Sequence, residues 1–176
     1  MSNLFIMEAA NLYCGDDDPS DSKHLSLGSL KLPVLQRKYQ DHHAGGSRVA
    51  VEVDVGIEKL EATFSLAGWD PGVLVQFGLG SRDRLPYTAY GVIRNKRTGR
   101  SIEAKAVMEG QLGKVESDAF QRGELQNHEY MINGIMHYEL YFDGSEKFYW
   151  DFFTSDLRID GQSENAAERR ILRIPG

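Results

Sequence analysis

The sequence has one cysteine, Cys14, so no disulfide can form within the chain. That suits a reducing compartment, and the thiol reads as a small buried hydrophobe. Long apolar runs are missing too. No stretch approaches the roughly 20 residues that a bilayer-spanning helix needs, so no membrane contact is expected. The opening "MSNLFIMEAANLYCG" lacks a basic leading segment and carries Glu8 within its apolar part. It does not read as a signal peptide, and the chain is expected to stay in the cytoplasm where it is made. Positive charge is in deficit, with 20 Lys and Arg against 26 Asp and Glu, a net charge of -6. That balance opposes a tight hold on nucleic-acid phosphates. It leaves open a surface past which nucleic acid must move without sticking.

Catalytic frames are also missing. No G-x-S-x-G is present, and the lone cysteine has no placed histidine partner. "GLGSRD", Gly78 to Asp83, follows a helix signal instead of opening a helix, the wrong context for a phosphate cradle. The pair His42-His43 would need further ligands at suitable spacing to hold a metal, and reads as part of a solvated Gly-rich loop. No enzyme activity, cofactor or metal is expected. Helical period is scarce as well.

What is present is alternation. In "SIEAKAVMEGQL", Ile102, Ala104, Ala106, Met108 and Leu112 share one face, and Glu103, Lys105 and Glu109 the other. "HEYMINGIMHYELYF" puts Tyr130, Ile132, Met136, Tyr138, Leu140 and Phe142 opposite Glu129, Asn133, His137 and Glu139. "DG" at Asp143-Gly144 supplies a hairpin turn, and "KFYWDFF" returns as a partner whose aromatics pair with Tyr138 and Tyr141. Val49, Val51, Val53 and Val55 alternate with Glu52 and Asp54. Leu60, Ala62, Phe64 and Leu66 alternate with Glu61, Thr63 and Ser65. The period breaks at Gly56-Ile57, which predicts a bulge.

One helix signal stands out: Asp70 as N-cap, Pro71 as first helical residue, and Gly78 or Gly80 as the stop. It predicts a short helix over about 70-79 whose Val73, Leu74 and Phe77 plug an open end of the sheet. "SENAAERR", Ser163 to Arg170, is the second candidate for a short helix. "CGDDDPSDS", Cys14 to Ser22, reads as a solvated acidic loop. With 176 residues, no linker and no repeat, the expectation is one all-β domain over 1-176, a sandwich or barrel with one or two short helices. So many wet-faced strands leave edges that are a hazard to a monomer.

In order along nearly the whole chain, these segments resemble the major tail tube protein of contractile-tailed bacteriophages and R-type bacteriocins. The matching stretches are "LKLPVLQRKYQDHHAGG", through Leu32, Pro33, Leu35, Lys38, Gly45 and Gly46, and "VDVGIEKLEATFSLAGWDPGV", through Asp54, Gly56, Glu58, Phe64, Ser65 and Gly68. "VMEGQLGKVESDAFQRGE" and "MHYELYFDG" follow, then a strand with Asp151 and a "DG…RR" tail. The acidic Asp16 to Asp21 insert and the less regular C-terminal end depart from the family pattern.

The resemblance implies a β-sandwich or barrel core, six copies joined into a ring with an inner β-barrel wall, and rings stacked into a hollow tube inside a contractile sheath. If each copy gives four strands at about 4.8 Å spacing, the closed wall has a backbone diameter of about 37 Å or more before tilt. The implied partners are further copies of the chain, the sheath protein, the tape-measure protein in the lumen, and the baseplate hub and tail terminator proteins. DNA passes through without specific binding. The implied location is the virion tail, assembled in the host cytoplasm. The residue-level expectations are two. An extended loop over about 41-56 reaches the next ring, with Gly45-Gly46 as hinge, Arg48, Glu52 and Asp54 as polar contacts, and Val49, Val51 and Val53 as apolar anchor. Glu61, Thr63 and Ser65 face the lumen, with Glu103, Lys105 and Glu109. The tube of a bacteriocin or of type VI secretion is the alternative from the same fold. A monomeric ligand-binding barrel is the alternative from a different class.

Overall fold

The structure, a computed structural model, describes residues 2-15, 18-78 and 83-175. Its frame is a nine-stranded antiparallel sheet. The strands are β1 (Phe5–Cys14), β2 (Leu27–Lys31), β5 (Ala62–Ala67), β6 (Leu85–Asn95), β7 (Ser101–Glu116), β8 (Asn127–Phe142), β9 (Ser145–Asp151), β10 (Asp156–Ile159) and β11 (Gln162–Ser163). A separate two-stranded ribbon holds β3 (Arg37–His42) and β4 (Val51–Ile57).

The long strands β7 and β8 form the spine. β8 is shared on its other side by two partners: its first half pairs with β5, its second half with β9. Beyond β5 lies β2, beyond β9 lie β10 and β11, and on the β7 side the order is β6 then β1. The sheet curls until β2 approaches β1, and just ahead of β2 Lys23 N donates to Leu12 O of β1 at 3.1 Å. Barrel-like curvature of this kind encloses the core.

The alternation read from the sequence sets that core. Leu60, Ala62, Phe64 and Leu66 are buried, as are Ala104, Ala106, Met108, Leu112, Tyr130, Ile132 and Tyr138. Phe64 stacks on Tyr130 with centroids 5.0 Å apart. The 2.0-residue period fails once along β8. Gly134 takes a positive φ of 58°, and Ile135 is buried out of phase with its neighbours. On β7 the matching irregularities flank Gly110 and Gly113. A Cβ on Gly110 would stand 2.7 Å from Ile132 Cγ2 and 2.9 Å from Asn133 O. The two spine strands approach closely there because β7 has hydrogen in place of a side chain.

The hairpin turn at Asp143-Gly144 forms with both residues at positive φ. Tyr138 meets Phe148 at 5.4 Å. Tyr141 does not meet an aromatic of β9: the ladder shifts between Leu140 and Tyr141 and sets it opposite Glu146. Phe152 and Phe153 fall in the turn after β9 and are exposed.

The first helix, α1, is shorter than the sequence predicts. It covers Pro71–Leu74, with the Asp70 side chain accepting from Val73 N at 3.0 Å. Val73 alone plugs the core; Leu74 and Phe77 are exposed. Gly80, with most of "GLGSRD", lies outside the described residues. The second helix, α2, spans Ala166–Leu172 and starts three residues later than predicted. Of the acidic insert, Pro19–Asp21 form an exposed 3-10 turn capped by Asp18, and Asp16 and Asp17 are outside the described residues.

Candidate assembly surfaces

Two of the surfaces outside the core bear on assembly. The first is the polar face of the sheet. Glu103, Lys105 and Glu109 project from β7, and Thr63 and Ser65 from β5, with Glu61 just before it. None is buried. The register places all of them on one continuous face, because β8 runs between β7 and β5 and shows its own polar side there. Glu139 stands opposite Val107, His137 opposite Glu109, and Glu129 between Glu116 and Ser65. Asn133 ties the two halves together by donating to Glu61 at 2.9 Å.

The electrostatics of this wall are acidic where charge is unpaired. His137 bridges Glu139 at 2.8 Å and Asp151 at 3.0 Å. Arg158 pairs with Glu146 at 3.0 Å and lies 3.6 Å over the Tyr149 ring. Lys114 pairs with Glu116, and Lys105 lies 5.7 Å from the Tyr90 ring centre. Glu103, Glu109 and Glu129 have no ion pair among the described residues. Burial works to raise the pKa of Asp151, yet hydrogen bonds from Thr154 and His137 hold it below the usual carboxylate value. Desolvation next to Glu139 pushes the Tyr141 hydroxyl up to about 12.

The polar residues of β8 complete the wall. They were visible in the sequence as the wet side of an alternating strand. Nothing in the sequence showed that β8 lies between the two strands chosen from it, since that neighbourhood is set by long-range pairing.

The second surface is the ribbon. It runs from Arg37 to Ile57, four residues earlier than the expected 41-56. Gly45 and Gly46 sit at its tip, not at a hinge, and neither has a positive φ; the glycine that does is Gly56, at 125°. The predicted bulge is real: Lys38 pairs with Gly56 and Tyr39 with Asp54, leaving Val55 extra. Arg48, Val49, Glu52 and the neighbouring arm residues are brought together along this one projection.

Register divides the ribbon into two faces. Lys38, Gln40 and His42 share a side with Val51 and Val53. Arg37, Tyr39 and Asp41 share the other with Glu52 and Asp54, where Arg37 meets Asp54 at 2.6 Å. A hydrogen bond from Gly56 N and this guanidinium hold the Asp54 pKa low. Neither face is covered. The alternation predicts a dry side for the valines, but in the single chain Val49 is 70% exposed, Val51 55% and Val53 44%. A two-stranded ribbon is marginal in water by itself, so a bare valine face calls for a partner.

Among the described residues no group of three or more His, Cys, Asp or Glu is placed to hold a metal ion. Nor is any helix long and apolar enough to cross a membrane.

Comparison with known proteins places this architecture. Residues 9-172 match the family described as phage tail tube protein FII. The tail tube protein of Escherichia phage P2 is 25% identical over 150 residues, covering 83% of this chain and 86% of that one. Among solved structures, the sheath-tube complex of an extracellular contractile injection system in its extended state contains a chain of the same fold. The TM-score is 0.54 at 8% identity, over 76% of this chain and 88% of that one. A chain of the sheath and tube terminator assembly of the same kind of system gives a TM-score of 0.50 at 10% identity, over 71% and 88%.

Proposed function

The chain belongs to the phage tail tube protein FII family, and from that premise we infer that it is a structural subunit of the tube in a contractile phage tail. Its place is the virion tail. The family is a structural one, and the work of the protein is assembly. Six copies form each ring, and rings stack into a conduit through which DNA passes. The sheath surrounds the tube, the tape-measure protein occupies it before ejection, and the baseplate and terminator proteins meet its two ends.

The observation that carries this reading is the pair of uncovered surfaces on one small domain. The polar face of β5, β7 and β8 becomes the bore, with Glu61, Thr63, Ser65, Glu103, Lys105 and Glu109 lining it beside Glu129 and Glu139. The acids without an ion pair among the described residues, Glu103, Glu109 and Glu129, repel DNA phosphates, where Lys and Arg would hold them through counterion release. The ribbon, with Val49, Val51, Val53, Arg48, Glu52 and Asp54, reaches the next ring. Closing the ring also removes the exposed sheet edge at β1.

Analytical ultracentrifugation over a rising concentration series tests the reading. Rings or polydisperse tubes are expected. A sharp 19.8 kDa species at every concentration, with no tubes even after seeding with isolated baseplates, contradicts it.

A further inference from the structure

A groove of about 610 Å³ opens at the root of the ribbon. Its floor is apolar: Leu60, Ile135 and Phe148 are buried there, with Trp150 and Leu157 half-buried at the sides. Its rim carries Glu58, Lys59 and Glu61. Gly134 and Ile135, where β8 goes out of phase, line it. No described residue fills the groove.

We propose that this groove is the socket for the valine face of the ribbon from a second copy of the chain. The proposal rests on the tube reading above and names the receiving site for its arm. Two observations support the match, and reach then fixes which copy supplies the arm. The ribbon shows an uncovered valine stripe, and the groove offers an apolar lining whose side walls, Trp150 and Leu157, are only half-buried, so each can cover the other. The charges also suit. Lys38 lies on the valine side of the ribbon and Glu58 on the groove rim, and neither has an ion pair among the described residues.

Reach excludes the chain's own arm. Gly56 through Glu61 line the groove from the root, and β4 extends away from it, so Val51 stands roughly 20 Å beyond Ile57 along a strand rising about 3.3 Å per residue. Each copy therefore offers one arm and one socket at opposite ends of the same ribbon. That is a head-to-tail contact, which can be repeated from copy to copy along a stack. The bulge at Val55 and the positive φ of Gly56 set the direction in which the arm leaves its own socket.

Cross-linking tests this on the intact protein. The pair Val51→Cys and Lys59→Cys joins an arm position to a rim position. Their separation within one chain far exceeds the about 7 Å Cα span that a disulfide tolerates, and Cys14 is buried. Mild oxidation of assembled tubes is expected to give a ladder of covalent multimers on non-reducing gels, with Val51→Cys or Lys59→Cys alone giving none. Lys59→Trp, an exposed rim change, is expected to leave the circular dichroism of the subunit unchanged and to abolish stacking. Normal tubes that yield no ladder, together with normal tube length from Lys59→Trp, overturn the socket while leaving the tube reading intact. Saturable binding of a small apolar dye to assembled tubes, quenching Trp150, also overturns it, since an occupied socket has no room. Failure of the unsubstituted protein to form tubes refutes the tube reading itself.

Discussion

His137 Nδ1 lies 3.0 Å from a carboxylate oxygen of Asp151, directly across the ladder between β8 and β9. The same carboxylate accepts from Thr154 N at 2.8 Å and from Thr154 Oγ1 at 2.9 Å. Its pKa is lowered in the folded chain. A lowered carboxylate pKa contributes stability above the unfolded-state value, and that contribution disappears as pH falls through the folded-state value. Asp151→Asn should therefore cost about 1-2 kcal/mol near pH 7 and flatten the acid side of the stability profile. Thermal melts of both proteins between pH 7 and pH 3 check this. A variant that loses stability toward acid as steeply as the parent would contradict it.

Gly110 gives a packing prediction. Its position would place a Cβ 2.7 Å from Ile132 Cγ2 and 2.9 Å from the Asn133 carbonyl oxygen. The carbonyl belongs to backbone and cannot swing aside. Gly110→Ala should destabilise by about 1-3 kcal/mol through overpacking, seen as a lower urea midpoint at an unchanged slope. An equal or higher midpoint would show that β7 and β8 separate at no cost.

Much of this was legible in the sequence, and the reason is periodicity. Phe64, Met108 and Tyr130 could be assigned to the core because strict alternation leaves each strand one choice of buried face. Asp70 and Pro71 marked the start of α1 because capping is local chemistry. The extent of α1 was not legible, since Leu74 and Phe77 have helical spacing whether or not anything covers them. The Gly134 irregularity was hidden for a related reason: Gly110 and Gly113 on another strand make room for it. For the ribbon, alternation showed that the valines share a face, and could not show that this face is bare in the single chain.

The arm offers the cleanest separation of folding from assembly. Val51 and Val53 are exposed and touch no core residue, so Val51→Asp with Val53→Asp should leave the melting temperature within a few degrees of the parent, as for ordinary surface substitutions. Stacking should fail, and electron microscopy should show isolated rings or subunits. Tubes of normal length from the double variant would remove the arm from the inter-ring contact.

Charge on the wall predicts a salt-dependent rate. Glu103→Lys with Glu109→Lys replaces acids by bases on the face assigned to the bore and leaves the groove rim untouched. Within a Debye length of roughly 8 Å at physiological salt, rings of like charge act directly on passing phosphates. Particles carrying both changes should assemble and should eject DNA more slowly, with the largest slowing at low ionic strength. Parental rates at low salt would mean that these residues do not face the DNA.

In the proposed tube, the polar face of β5, β7 and β8 lines the bore. Cryo-electron microscopy of tubes assembled from the unsubstituted protein measures it most directly. Six-membered rings are expected, with the side chains of Glu61, Glu109, Glu129 and Glu139 pointing into the lumen. A reconstruction that places those four carboxylates on the outer, sheath-facing surface would contradict it.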